Sequence, residues 1–339
     1  MDLDEVLAAT FTLVAPHLTE RQRRLLFGAA ARALGYGGVS RVARLAEASR
    51  PDSNKEVLDM PTVELTAGPI DYEDSGGDGP VLVFLGGVLM DGSVWDPVIA
   101  DLRRDHRCVV PTLPLGAHRR PMHPRADLSL SGFARLVAEL LERLDLDEVT
   151  LVQNDHGAAL ALAGQRPVRV ARLVISSCEA FENYPPGLPG RNLRLTARAP
   201  GGLLLAVQAL RLRWLRRLPV TFGWLSKRPL PDELVDRWLR PAQGQRAVRR
   251  DLRKYAAGAR RRDMVEICQR LAGFDRPALV VWTPEDRIQR PEHGRRLVAL
   301  LPDARLIEIP DSYTLIMRDQ PQAFSHAIRA FVAATPHVN

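Results

Sequence analysis

The stretch QNDHG, residues 153–157, is the part of the chain that decides its fold. An apolar run, Val149–Val152, precedes it, and a run of small and apolar residues, Ala158–Ala163, follows it. This order predicts a buried strand, a sharp turn and a helix, with the Asp155 side chain at the apex of the turn. A reactive side chain on such a turn is typical of a nucleophile elbow, which holds the nucleophile above the edge of a sheet.

Two roles are open to Asp155 at this position. A carboxylate on an elbow attacks a saturated carbon and forms an alkyl ester with the enzyme. The alternative is that Asp155 caps the following helix, because a carboxylate stabilises the N-terminus of a helix. Its place between an apolar strand and a small-residue helix favours the nucleophile.

Strands and helices alternate from Thr62 onwards. The predicted strands are Val63–Thr66, Ile70–Tyr72, Val81–Leu85, Cys108–Val110, Val149–Val152, Leu173–Ser176, Ala278–Trp282 and Arg305–Ile309. The helices predicted between them are Pro97–Leu102, Leu130–Leu144, Ala158–Gln165, His293–Leu301 and Gln322–Ala334. This alternation predicts an α/β fold with a mostly parallel sheet covered by helices on both faces.

A long insertion interrupts the alternation. About one hundred residues separate the strand that ends near Ser177 from the strand that starts near Pro277, which is too long for a simple crossover. Helices are predicted inside it at Gly202–Leu215, Pro231–Trp238 and Arg246–Leu271. We therefore predict a core of residues 61–178 and 272–339, with a helical cap over residues 179–271.

The net charge of +7 is unevenly distributed. Residues 183–262 hold 19 Lys and Arg against four Asp and Glu. Such a surplus indicates either a solvated helical surface or attraction of an anionic substrate, a membrane surface or a polyanion. The composition leaves both open.

Other features of the composition narrow the class of protein. The sequence has no run of 18 apolar residues, which a transmembrane helix would need, and its first residues are acidic, unlike a secretory signal. Its three cysteines have neither metal-ligand spacing nor the pattern of a disulfide framework. We expect a cytoplasmic protein without a metal or another cofactor.

Residues 61–335 resemble the α/β-hydrolase superfamily, in its branch of haloalkane dehalogenases and epoxide hydrolases that use an aspartate nucleophile. The segments that carry the resemblance are QNDHG (153–157), GGVL (86–89), Trp95, WTPEDRI (282–288) and IPDSYTLIMRDQP (309–321). The resemblance implies that Asp155 is the nucleophile and Asp286 the acid of a catalytic triad, with Glu285 as the weaker candidate for the acid. It also implies an oxyanion or halide cradle beside Gly87, formed by the backbone N–H groups of Val88 and His156.

The chain departs from this family where the family has its catalytic histidine. Alignment from either end of the 309–321 segment places Thr314 at that position. The histidine activates the water that hydrolyses the ester, and threonine cannot take that proton near neutral pH. The candidates to replace this base are His156, His118 and His123. The alternative for each is an ordinary histidine at the surface or packed in a loop.

The resemblance further implies a substrate pocket between core and cap. Residues expected to line it are Trp95, His118, Phe181, Asn183 and Tyr184. Other cap aromatics, Trp214, Phe222 and Trp224, are open to the same role or to core packing.

Residues 1–60 form a separate arm with predicted helices at residues 20–34 and 39–47. The arm resembles the N-terminal helix-turn-helix of a family of bacterial insertion-sequence transposases. The helix that would read DNA, residues 51–56, lacks an apolar anchor at Ser53, and the arm carries eight Lys and Arg against eight Asp and Glu. Because phosphate binding needs a basic surplus, we expect a packing or oligomerisation arm and no specific nucleic-acid binding.

The expected function is that of an α/β-fold hydrolase without a cofactor. Its substrate is expected to be small and hydrophobic, with a carbon–halogen bond or an epoxide as the electrophile, and an anionic substrate is an alternative. One competing hypothesis is a binding protein that keeps the pocket and has lost turnover, which Thr314 favours. Another is a DNA-associated protein that works through residues 1–60, and self-association of the chain is left open.

Overall fold

The computed structural model describes residues 60–335 of the 339-residue chain. The chain divides into two units, residues 1–60 and residues 61–339. The arm helices and the transposase-like segment lie outside the described residues. They stay predictions.

An eight-stranded sheet forms the centre of this unit. Its strands are β1 (Thr62–Leu65), β2 (Gly68–Asp74), β3 (Val81–Leu85), β4 (Arg107–Pro111), β5 (Val149–Asp155), β6 (Val170–Cys178), β7 (Ala278–Trp282) and β8 (Ala304–Glu308). Their order across the sheet is β1-β2-β4-β3-β5-β6-β7-β8. The β1–β2 and β2–β4 pairs are antiparallel and all other pairs are parallel. The predicted α/β fold with a mostly parallel sheet is confirmed.

Helices cover both faces of the sheet. Outside the insertion they are α1 (Asp96–Leu102), α2 (Leu130–Arg143), α3 (Ala158–Ala163), α9 (Pro291–Leu300), α10 (Ile316–Asp319) and α11 (Pro321–Ala334). Residues of α2, α3 and α9 share one apolar cluster with the sheet, and residues of α1, α10 and α11 share another. Because helices exclude water from both faces, every residue of β5 and of β7 is buried.

The insertion between β6 and β7 is helical, as predicted, but its helices differ from the prediction. They are α4 (Gly187–Arg198), α5 (Gly202–Ala209), α6 (Asp232–Gly244), α7 (Arg246–Gly258) and α8 (Arg261–Arg270). The single helix predicted over Arg246–Leu271 is wrong, because the backbone becomes extended at Ala259 and Arg260 and separates α7 from α8.

The other differences have local causes. Helix α4 was not predicted, since Pro189 and Gly190 disfavour a helix there. Helix α5 ends at Ala209, and a short 3₁₀ helix, Arg213–Arg217, follows it. No helix among the described residues is long and apolar enough to cross a bilayer.

Candidate functional site

The QNDHG stretch forms the strand-turn-helix that the sequence predicts. Strand β5 ends at Asp155, which has a φ of 63°, and α3 begins at Ala158. A left-handed backbone is costly for a residue with a Cβ and is typical of functional turns. The Glu179 N–H donates to the Asp155 carbonyl at 2.9 Å and holds the turn against the residue that follows β6.

Asp155 does not cap helix α3. The first N–H groups of α3 are satisfied by other side chains: Ala159 N–H donates to Gln153 Oε1 at 2.7 Å, and Ala158 N–H donates to His156 Nδ1 at 3.2 Å. The Asp155 Oδ2 atom instead accepts the Val88 N–H at 3.2 Å. The carboxylate therefore points away from the helix terminus and towards the turn after β3.

Burial and the small number of hydrogen-bond donors set the pKa of the Asp155 carboxyl group. The residue is 7% exposed, and burial raises its pKa to about 6, against the opposing effects of the Val88 N–H and the Gln289 side chain. The adjoining Gly87 has no room for a side chain, because a Cβ atom there would lie 2.3 Å from Asp155 Oδ2. A glycine at 87 is what lets the backbone reach the carboxylate.

The backbone N–H of His156 does not take part in the predicted oxyanion or halide cradle. Its backbone N–H donates to the Asn154 carbonyl at 2.7 Å and is therefore not directed at Asp155. Its ring packs against Phe133 and Tyr255, with centroids 4.8 and 5.0 Å away. Burial lowers the pKa of the imidazole to about 3, so the ring is neutral. Of the two predicted cradle donors, Val88 is the one that reaches the carboxylate.

The predicted triad acid and the residue at the histidine position meet as expected. Thr314 Oγ1 donates to Asp286 Oδ1 at 2.9 Å, and the N–H groups of Ile288 and Gln289 donate to the same oxygen at 2.9 and 2.8 Å. Burial raises the pKa of Asp286 to about 6. The Thr314 carbonyl accepts the Asn154 side-chain amide at 2.7 Å, which ties this pair to the end of β5.

Glu285, the weaker candidate for the acid, faces away from this group. It forms an ion pair with Lys227, and its other oxygen accepts the Asp311 N–H at 2.8 Å. Both Glu285 and Lys227 are partly exposed. The contacts favour Asp286 as the buried acid.

Glu179 and Tyr255 belong to the site and were missed by the sequence reasoning. Glu179 follows β6 directly, is 2% exposed, and its carboxyl oxygens accept the Tyr255 hydroxyl at 2.7 and 3.0 Å and the Gly157 N–H at 3.4 Å. Burial and the neighbouring Asp155 charge raise the pKa of Glu179 well above its ordinary value. The signal was present, because parallel strands β5 and β6 bring their carboxyl ends to the same edge.

A cavity of about 570 Å³ lies between these carboxyl groups and the cap. Its lining is mostly apolar, with side chains from α4, α5 and the segment that follows α5. The ionisable residues on its wall are Asp155, Glu179, Tyr184 and Tyr255. A largely apolar cavity with a few convergent polar groups suits a small hydrophobic ligand.

Of the residues predicted to line the pocket, Tyr184 lies on its wall and the others do not. Trp95 is fully buried in the core, where its ring packs against Phe84 and Phe324 with centroids 5.2 and 6.2 Å away. His118 Nε2 lies 3.3 Å from Asp251 Oδ2, in a buried pair outside the cavity.

Two more predicted pocket residues lie outside the lining of the cavity. The Phe181 ring lies under the Arg296 guanidinium, 3.8 Å from ring centroid to Cζ. Asn183 Nδ2 donates to the Ile288 carbonyl at 2.8 Å and to Gln289 Oε1 at 3.0 Å, which fixes the loop after β7. These contacts position neighbours of the carboxyl groups without touching the cavity.

The remaining predicted residues also differ in whether they line the cavity. Phe222 lines the cavity, whereas Trp214 is 63% exposed and Trp224 lies outside the lining. His123 is largely exposed, 3.6 Å from Glu64. No group of three or more His, Cys, Asp or Glu within residues 60–335 is arranged to hold a metal ion.

The chain is similar in sequence to two proteins with named activities. A haloalkane dehalogenase of Mesorhizobium japonicum is 31% identical over 136 residues, which span 38% of this chain and 43% of that protein. A cis-3-alkyl-4-alkyloxetan-2-one decarboxylase of Xanthomonas campestris pv. campestris is 26% identical over 291 residues, 78% of this chain and 92% of that protein.

The fold is shared with solved hydrolase structures. A thermophilic esterase from Thermogutta terrifontis superposes with a TM-score of 0.63 at 21% identity, over 82% of this chain and 99% of that one. The sequence profile of the alpha/beta hydrolase family matches residues 82–327, which run from the second residue of β3 through β8 and include the insertion between β6 and β7. The chain belongs to the alpha/beta hydrolase family.

Proposed function

We propose that this protein uses the Asp155 carboxylate to attack an electrophilic carbon of a small hydrophobic substrate. The observation that carries the proposal is the setting of this carboxylate. It lines an apolar cavity, sits on a left-handed turn at the end of β5, and receives a backbone N–H from Val88 on Oδ2. Val88 supplies the one backbone N–H that this carboxylate receives among the residues that the structure describes, and the Gln289 side chain is its other polar neighbour.

Such an attack requires that the site stabilise the leaving group. A halide leaves as an anion and needs N–H donors, whereas an epoxide oxygen needs a proton. Both candidate backbone donors are already engaged, Val88 by Asp155 and His156 by Asn154. Glu179, whose pKa is raised well above its ordinary value by burial, lies on the cavity wall and is a candidate proton donor. These contacts favour an epoxide over an alkyl halide.

In the first step we propose that an Asp155 oxygen bonds to one epoxide carbon while the bond from that carbon to the ring oxygen breaks. Glu179 gives its proton to the released oxygen. The products are an alkyl ester on Asp155 and a Glu179 carboxylate. The Tyr255 hydroxyl and the Gly157 N–H donate to Glu179 and stabilise that negative charge.

In the second step the ester is hydrolysed. The Glu179 carboxylate takes a proton from a water molecule, and the water oxygen bonds to the ester carbonyl carbon of Asp155. The Val88 N–H stabilises the oxyanion that forms. Cleavage of the carbonyl–alkoxy bond releases the diol, and proton transfer to the alkoxide restores ionised Asp155 and neutral Glu179. One carboxyl group acts as nucleophile and the other as acid and base, a division that differing environments can enforce.

A second candidate function rests on the relative named as an oxetan-2-one decarboxylase and on Thr314. Asp155 would bond to ring carbon C4 as its bond to the ring oxygen breaks, leaving a free carboxylate. Loss of CO₂ would break the C2–C3 bond, form the C3=C4 double bond and expel the Asp155 carboxylate. This sequence needs neither water nor a base, so the absence of a histidine at position 314 does not obstruct it.

Intact-mass spectrometry separates these alternatives. With a 1,2-epoxyalkane we expect the parent protein to release diol, and a Glu179→Gln variant to form an adduct slowly and retain it. Asp155→Asn is the matched control and should gain no mass. An adduct that survives in Asp155→Asn would refute Asp155 as the nucleophile.

The same experiment covers the other hypotheses. Release of an alkene and CO₂ from a cis-3,4-dialkyl-oxetan-2-one, with no diol from epoxides, would favour the second candidate. Tight binding of these compounds with neither adduct nor product would indicate a binding protein that has lost turnover.

A further inference from the structure

Large apolar side chains are exposed in one segment of the cap. Seven of the eight exposed large hydrophobic residues within the described part of the chain fall between residues 188 and 220. They are Leu188, Leu195, Leu204, Leu205, Leu212, Trp214 and Val220, and the eighth is Val168. We call residues 188–220 the cap face.

The exposure follows from the sequence of the helices. Helix α5 reads GLLLAVQA and buries Leu203 and Val207, so that Leu204 and Leu205 point outwards. Leu205 is 71% exposed and Trp214 is 63% exposed. Such side chains are costly in water, and an exposed group of them marks a binding surface more often than a free one.

The cap face is also cationic. Residues 183–231 contain nine Lys and Arg and no Asp or Glu. Arg191, Arg211 and Arg217 are exposed and have no ion-pair partner among the residues that the structure describes. Arg216, in contrast, is buried and pairs with Asp236. The free positive charges therefore lie on the same segment as the exposed apolar residues.

The cap face is continuous with the cavity. Leu205 and Val220 are exposed to solvent and also line the cavity, together with Leu215 and Leu218 from the same segment. The lining has no Lys or Arg among the described residues, and most of it is apolar, which suits the entry of a hydrophobic ligand from this face.

We propose that the cap face docks on an anionic lipid bilayer, so that the cavity takes hydrophobic molecules from the membrane. Leucine side chains of α4 and α5 enter the boundary between headgroups and acyl chains, Trp214 lies at headgroup depth, and the arginines contact lipid phosphates. Basic residues near an anionic surface each add to binding, and the effect weakens with salt.

A nucleic acid fits this surface less well. Its phosphates would attract the arginines, but exposed leucines gain nothing from a phosphate backbone, and base stacking needs aromatic side chains. Trp214 is the single aromatic residue among the seven exposed apolar residues. The combination of aliphatic exposure and positive charge favours lipid.

Vesicle co-sedimentation of the full chain tests the proposal. We expect binding to vesicles of phosphatidylcholine with phosphatidylglycerol, weaker binding to phosphatidylcholine alone, and a decrease with salt. A Leu205→Ser/Trp214→Ser double variant should bind at least about tenfold more weakly. Val168→Ser is the matched control, because Val168 is 87% exposed but lies outside the cap face. An Arg211→Ser/Arg217→Ser variant should lose the preference for anionic lipid.

Three outcomes would overturn the proposal. One is equal or absent binding to both kinds of vesicle. Another is binding that depends on the arginines but not on Leu205 and Trp214, which would indicate a general polyanion surface. The third is a dimer in sedimentation velocity that the double variant dissociates, which would make a second copy the occupant. Thermal melting of each variant checks its folding, and no readout depends on catalysis.

Discussion

Replacing Asp155 with Asn is expected to stabilise the folded protein at neutral and alkaline pH. Burial raises the pKa of this carboxyl group from 3.8 to about 6. At about 1.4 kcal/mol per pKa unit, the ionised carboxylate costs the folded state up to about 3 kcal/mol above pH 6. Because the pKa is raised by folding, the cost fades as pH falls through about 6 towards 3.8, where the folded group is already protonated. Asparagine carries no charge and still accepts the Val88 N–H.

Urea unfolding of parent and variant at a series of pH values measures this difference. The free energy of unfolding of Asp155→Asn should exceed that of the parent most at pH 8, and the gap should close towards pH 4. Asp105→Asn is a control of opposite sign, because its pairing with Arg329 lowers the pKa of Asp105 to about 2. That variant should be less stable at pH 8, with the loss fading as pH falls through about 2. A difference in the free energy of unfolding between Asp155→Asn and the parent that is constant with pH would refute the reasoning.

Three further outcomes are expected. The rate of Asp155 alkylation by a bromoalkane, which needs no proton, should rise with pH through about 6 and then level off, and a flat profile in timed intact-mass spectra would contradict this. Gly87→Ala should slow alkylation by about a hundredfold or more because its Cβ overlaps Oδ2, whereas Gly244→Ala, with open space around it, should match the parent in the same assay. Thr314→His should restore diol release to Glu179→Gln by supplying a second base, and no gain in product by gas chromatography would count against the missing-base argument.

The sheet could be predicted from the sequence because its signals are local. A short apolar run bounded by turns, such as Val81–Leu85, is typical of a buried strand, and the structure places β3 at the same residues. The sequence of the cap predicts its helices less clearly. Helix α4 contains Pro189 and Gly190 and is stabilised by packing on neighbouring helices α5 and α7, which local propensity does not reveal.

The site was predictable where backbone position decides the contact. Asp286 and Thr314 meet because the loops after β7 and β8 leave the same edge of the sheet. Side-chain direction was not predictable. Trp95 turns into the core and His118 turns to Asp251, although both lie on loops near that edge. Glu179 was not predicted because its place in the site depends on the contact with Tyr255, which is 76 residues away in the chain.

Thr314, at the position where the resemblance predicts a histidine, connects these observations. No Lys or Arg in the described part of the chain acts on the carboxyl groups of Asp155, Glu179 and Asp286, whose pKa values are all raised by burial. A protonated histidine at position 314 would lower all three pKa values by its positive charge. Thr314 adds none, so burial and the Asp155 charge keep the pKa of Glu179 raised. A threonine where the resemblance predicts the base therefore also favours the proton donor that the proposed epoxide reaction needs.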